Sequence, residues 1–163
     1  PFVYYGDEIG MRYQTDLVSK EGGFSRTGSR TPMQWNSSKN LGFSTADAEK
    51  LYLPVDKSAD APTVENNVGR KGSIYENLKT LIALRHEYES LRNGSDFELV
   101  SAEKGDNLFV YKRGEFTVYF NVSSDKKVVE LENVGEIVFM LGEYDIDGEK
   151  LILKGRNAVI IKN

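Results

Sequence analysis

A change of hydrophobic period at Asn93-Gly94 constrains this chain more than any other feature. Before it, Ile74, Leu78, Leu81, Ile82, Tyr88 and Leu91 recur at the spacing of one helix face. Ser73 and Glu76 stand at the interval of a capping box, and Asn93-Gly94 supplies residues that close a helix in the left-handed conformation. The pattern predicts one amphipathic helix over about 73–92. After Gly94 the period becomes 2. Segments 97–100, 108–111, 116–120, 127–131, 136–141, 150–153 and 158–161 are short, aromatic and β-branched. Turn formers such as Arg113-Gly114-Glu115, Asp147-Gly148 and Gly155-Arg156-Asn157 separate them. Short strands with turns at this spacing predict an antiparallel β-sandwich of Greek-key type. The boundary falls near 93–96. The β part has neither histidine nor tryptophan, and its aromatics are expected to alternate inward, so a packing role is predicted for it.

The first part of the chain is less regular. Phe2-Val3-Tyr4-Tyr5, ended by Gly6, reads as a buried strand of the kind found in parallel sheets. Asp7-Glu8 follows at its carboxyl end, where α/β enzymes place functional groups. Neighbours on an extended chain point apart, whereas paired glycosidase carboxylates face one another across about 5–10 Å, so a structural role is expected for both. Residues 12–40 are polar and glycine-rich, too long for a simple connector, and lack the G-x-x-x-x-G-K-[ST] pattern, so no phosphate cradle of that kind is expected. They lead into Arg30-Thr31-Pro32-Met33-Gln34-Trp35, which joins a rigid guanidinium fork, a fixed proline dihedral, an amide and the single tryptophan. That set suits a flat, hydroxylated ligand. The plainer alternative is a turn in which Trp35 plugs a local core and Arg30 joins a surface ion pair. A second irregular stretch, 41–72, holds Leu51-Tyr52-Leu53-Pro54-Val55. His86 has no cysteine, second histidine or spaced carboxylate nearby and reads as a structural or surface residue.

Composition excludes several function classes. In 163 residues with a net charge of −4, the bases are scattered among acids, which predicts neither nucleic acid nor a membrane surface as partner. No apolar run approaches the roughly 20 residues of a membrane span. The absence of cysteine rules out disulfides and thiolate metal sites and fits a cytoplasmic, reducing compartment. No carboxylate cluster of the calcium-binding kind stands out, so neither a metal nor a cofactor is expected. The chain opens on Pro1 inside an apparent strand, and a fragment is expected.

With these pieces in order, the chain resembles the C-terminal third of the α-amylase superfamily, glycoside hydrolase family 13, in its oligo-1,6-glucosidase, α-glucosidase and trehalose synthase branch. Residues 1–11 look like the eighth barrel strand and its loop, and Arg30-Thr31-Pro32-Met33-Gln34-Trp35 is similar to the branch's RTPMQW signature. Asn40-Leu41-Gly42-Phe43-Ser44 and Leu51-Tyr52-Leu53-Pro54-Val55 look like the segment after it, and 73–85 like the last barrel helix. The resemblance implies residues 1–93 as the last strand, active-site loop and last helix of a (β/α)8 TIM barrel, and 94–163 as the all-β domain C. It implies retaining cleavage of short α-linked gluco-oligosaccharides, with Arg30 holding substrate hydroxyls and a partner aspartate elsewhere in the barrel. The family's catalytic aspartate, glutamate and second aspartate match no residue here, so no catalytic residue is assigned and the chain alone is expected to be inactive. A non-catalytic partner subunit and a free-standing carbohydrate-binding β module are the alternatives. Cut from neighbouring strands, residues 1–72 are expected to be poorly ordered or self-associated.

Overall fold

Residues 2–19, 22 and 24–163 are described by the structure, a computed structural model, and the chain divides into two compact units, Pro1–Leu78 and Lys79–Asn163.

The second unit is built on β1 (Glu98–Ser101), β2 (Leu108–Arg113), β3 (Phe116–Asn121), β4 (Lys127–Glu130), β5 (Glu136–Leu141), β6 (Tyr144–Asp147), β7 (Lys150–Leu153) and β8 (Asn157–Lys162). They form a five-stranded sheet, β1-β2-β3-β8-β5, and a three-stranded sheet, β4-β7-β6, with every pairing antiparallel. Two-residue turns set the tight registers. Arg113 pairs with Phe116 across Gly114-Glu115, and Gly114 takes a φ of 53° that a side chain disfavours. Val110, Tyr119, Leu131, Leu151, Leu153, Val159 and Ile161 form one buried cluster. Phe116, Val118, Phe139 and Ile160 form a second, against which Leu84, Tyr88 and Leu91 pack. Strands β3 and β8 are therefore buried along nearly their whole length, which is why 116–120 and 158–161 read as almost continuous apolar runs.

Strand β6 escapes the sequence pattern. Its Asp145 and Asp147 point outward in an alternating burial pattern, and aspartate is depleted in strands, so only pairing with β7 reveals it. The aromatics also differ from expectation. Phe97, Phe109, Tyr111 and Phe120 gather with ring centroids 5.2–6.4 Å apart, and Phe97 and Phe109 are 57% and 36% exposed. These two lie outside the cluster against which Tyr88 packs. The period of 2 states that they share a face, not that anything covers it.

Helix α1 (Val64–Asn67) is a single turn capped by Thr63, whose side chain accepts from the Asn66 amide. The predicted long helix is α2 (Ile74–Glu87), with Ser73 Oγ accepting from the Glu76 amide at 3.2 Å. It stops short of 92 because Tyr88 leaves the helical region (φ −107°, ψ 124°) and turns its ring edge-on to Phe116, 4.8 Å away. A 3₁₀ turn, Glu89–Leu91, follows, and Arg85 closes it by donating to the Leu91 carbonyl at 2.7 Å. The strand expected at 2–5 is not formed. Phe2, Tyr4 and Tyr5 are exposed there, and a strand exists only through ladder partners, which this segment lacks among the described residues.

Candidate functional site

The first unit shapes its surface with backbone hydrogen bonds rather than a large apolar core. Gly6 and Gly10 take φ of 90° and 72° at either end of a 3₁₀ turn, Asp7–Ile9. The two acids of that turn are consumed locally. Asp7 Oδ2 accepts from the Tyr4 amide at 3.0 Å, and Glu8 Oε2 from the Gly6 amide at 2.7 Å. Ile9 is buried, and its carbonyl accepts from Asn67 Nδ2, which ties the turn to α1.

The loop before Arg30 is pinned in the same manner. The Gln14 amide donates to the Gly28 carbonyl at 3.1 Å, and Tyr13 Oη to the Ser25 carbonyl at 2.8 Å. Gly28 is buried so closely against the backbone that an added Cβ would lie 2.0 Å from the Gln14 oxygen. A 3₁₀ turn, Thr27–Ser29, then delivers Arg30, whose amide donates to the Thr27 carbonyl.

Within the hexapeptide, Thr31 and Gln34 are the anchors, both buried. The Thr31 carbonyl accepts from Tyr5 Oη at 2.9 Å. Burial, with Tyr4 nearby, raises the Tyr5 hydroxyl above its ordinary pKa, which Arg30 opposes, so it stays a protonated donor near neutrality. Gln34 Nε2 donates to the Pro62 carbonyl, and the Gln34 and Trp35 carbonyls accept from Val64 and Glu65 at the start of α1. The backbone is thus satisfied from three sides while Arg30 faces outward. Trp35 plugs no core: it is 49% exposed.

Arg30 lines an apolar cavity of about 280 Å³, walled by Tyr5, Pro32, Met33, Phe43, Tyr52 and Leu53. Among the described residues its guanidinium has neither a hydrogen-bond acceptor nor a carboxylate within ion-pair distance, so its donor fork remains available. Apolar walls around one convergent polar group suit a ligand that offers a flat carbon face and hydroxyl oxygens. A smaller cavity of about 130 Å³ adjoins it and shares Arg30, Tyr52 and Leu53.

Sequence reasoning singled out Arg30 and missed the cavity's other walls. Tyr5 lies 38 residues before Phe43, and Phe43 nine before Tyr52, and they belong to no common period, so only folding brings them together. His86 lies exposed on α2. No group of three or more His, Cys, Asp or Glu side chains among the described residues is arranged to hold a metal ion, and no described helix is long and apolar enough to cross a membrane.

Comparison with known proteins identifies relatives. A family model described as alpha amylase, catalytic domain, matches residues 1–94. The trehalose synthase/amylase TreS of Mycobacterium tuberculosis (strain ATCC 25618 / H37Rv) is 36% identical over 103 positions, covering 61% of this chain and 16% of TreS. The probable oligo-1,6-glucosidase 2 of Bacillus subtilis (strain 168) is 33% identical over 141 positions, covering 69% of this chain and 24% of that protein. The chain thus spans a quarter or less of the length of these relatives. Among solved structures, the trehalulose synthase MutB of Pseudomonas mesoacidophila MX-45 superposes with a TM-score of 0.72 at 23% identity, covering 84% of this chain and 26% of MutB, which establishes a shared fold.

Proposed function

Since this chain belongs to the alpha-amylase family, we propose that it is the substrate-positioning end of a retaining α-glycosidase that acts on short α-linked gluco-oligosaccharides. In this reading residues 1–93 close the catalytic (β/α)8 barrel, 94–163 form domain C, and Arg30 holds hydroxyls of a glucosyl unit. The observation that carries it is the Arg30 fork, without an acceptor or carboxylate partner among the described residues, in an apolar cavity of about 280 Å³. A guanidinium on an anchored backbone orients a neutral substrate through several charge-assisted bonds. The relatives' names support an α-glucoside as ligand. The three catalytic carboxylates have no counterpart in this chain, so its share of the reaction is binding and orientation, and alone it hydrolyses nothing.

The test is a titration of the 163-residue chain with isomaltose, followed by NMR. Saturable shifts at Arg30 and Tyr52 with millimolar affinity are expected, and Arg30→Gln abolishes them. Unsaturable shifts, or shifts unchanged in the variant, refute the assignment. The reading frame that encodes this chain must also encode the aspartate, glutamate and aspartate of the family; a frame without them moves the protein to the non-catalytic partner class.

The exposed Phe97 and Phe109 favour a second reading, in which residues 94–163 bind sugar on their own. It predicts maltose-dependent quenching or shifts confined to these rings, lost in Phe109→Ser.

A further inference from the structure

The second unit carries a cavity of its own. About 180 Å³ lies among β1, β2, β3 and β4, where β1 and β4, each the edge strand of its sheet, leave the sandwich open. Inward positions of a sandwich are ordinarily apolar. Here that rule breaks off. Leu108 and Val110 line the cavity, but the next residue on the same face of β2 is Lys112, whose register partner on β3 is Thr117, two residues before Tyr119. Lys112 Nζ donates to both oxygens of Glu132, at 2.7 and 2.9 Å, which uses two of its three protons. Thr117 is buried and its Oγ1 accepts from Asn163 Nδ2 at 2.8 Å. Burial raises the Tyr119 hydroxyl above its ordinary pKa, which its bond to Thr117 opposes, so near neutrality it stays a protonated donor. Register and hydrogen bonds thus bring an ammonium, a carboxylate, a phenol and an amide to one place, with Val100, Leu108, Val110 and Val129 as apolar walls.

We propose that this inter-sheet cavity binds one pyranose unit of a neutral sugar, its C–H face against the valines and its hydroxyls bonded to Lys112, Tyr119 and Glu132. An ammonium and a phenol donate where a carboxylate accepts, and each sugar hydroxyl does both, so the two sets match without a charge on the ligand. The space, about six water volumes, holds a single monosaccharide unit rather than a chain. Glu130 and Glu132 in the lining repel an anion. Both carboxylates are engaged by lysines, Lys150 at 3.6 Å and Lys112 at 2.7 Å, which disfavours a metal cation. The site lies on the face of β2 opposite Phe109 and Tyr111, so it is distinct from a platform on those rings. It shares no residue with the Arg30 cavity and does not depend on that reading.

The experiment titrates the 163-residue chain with glucose and, separately, with inorganic phosphate at constant ionic strength, following valine methyl and tyrosine ring resonances by NMR. Glucose is expected to give saturable shifts at Val100, Val110, Val129 and Tyr119, with a Kd of roughly 1–10 mM. Tyr119→Phe, which keeps the buried ring, weakens this binding by roughly threefold, and Lys112→Met by roughly tenfold. Val100 is half exposed on an edge strand, so Val100→Phe keeps the fold, fills the opening and abolishes the shifts. Wild-type affinity in both Tyr119→Phe and Val100→Phe, or no saturation at these residues, overturns the site. Phosphate saturating the same residues more tightly than glucose overturns the neutral ligand. Shifts at Arg30 and Tyr52 alone, or at Phe97 and Phe109 alone, overturn this site while the corresponding earlier reading stands. Shifts at the four cavity residues without any at Arg30 and Tyr52 uphold it while the Arg30 reading fails.

Discussion

Truncating Phe116 tests how the second unit is held together. Its side chain is fully buried in β3, edge-on to Tyr88 at 4.8 Å and 71°. Removing a buried phenyl forfeits about 1.5–3 kcal/mol of transfer free energy. The aromatic pair adds about 0.5–1.5 kcal/mol, and the cavity left behind brings the expected loss for Phe116→Ala to about 3–5 kcal/mol. For a unit of this size that lowers Tm by roughly 12 °C or more. The assay is thermal unfolding of the full chain followed by near-UV circular dichroism, with a double-mutant cycle between Phe116→Leu and Tyr88→Leu. A coupling of about 0.5–1.5 kcal/mol is expected, because Tyr88 belongs energetically to the β-sheets although it follows directly on the helix in sequence. A loss under about 1 kcal/mol for Phe116→Ala, or zero coupling, refutes the argument that the end of α2 is part of the second unit's core.

Gly28→Ala places a Cβ 2.0 Å from the Gln14 carbonyl oxygen and is expected to destabilise the first unit by about 1–3 kcal/mol and to abolish isomaltose binding, read by thermal unfolding and titration. Arg12, hydrogen-bonded to the Asp60 carboxylate, holds its pKa below the ordinary value. A depressed folded value contributes stability that is present above about pH 4 and lost as pH falls through it, so Asp60→Asn should flatten the acid limb of the first unit's unfolding below that pH. Limited proteolysis should cut residues 12–30 before any β-strand, since the described residues of that stretch form a single 3₁₀ turn, Thr27–Ser29, and are mostly exposed, while β3 and β8 are buried; first cleavage within β3 or β8 contradicts this.

Local signals were legible wherever one residue type does one job. The switch from period 3.6 to period 2 at Gly94 predicted α2 and all the strands but one, because periodicity records which side of an element meets the core. Asp145 and Asp147 hid β6, since partner pairing outweighed propensity there. The RTPMQW stretch marked Arg30, and the structure sets that arginine in a cavity.

What only the tertiary structure decided is the company each residue keeps. Tyr5 donating to Thr31, and Phe43 and Tyr52 walling the Arg30 cavity, are contacts between positions with no common period in the sequence. Tyr88 likewise leaves its helix for Phe116. The amino-acid sequence by itself determined the long helix, seven of the eight strands, their order and the family, because these depend on local periodicity and on motifs read along the chain. The Arg30 cavity and the end of α2 depend on long-range closure, whose outcome is set by which surfaces bury one another.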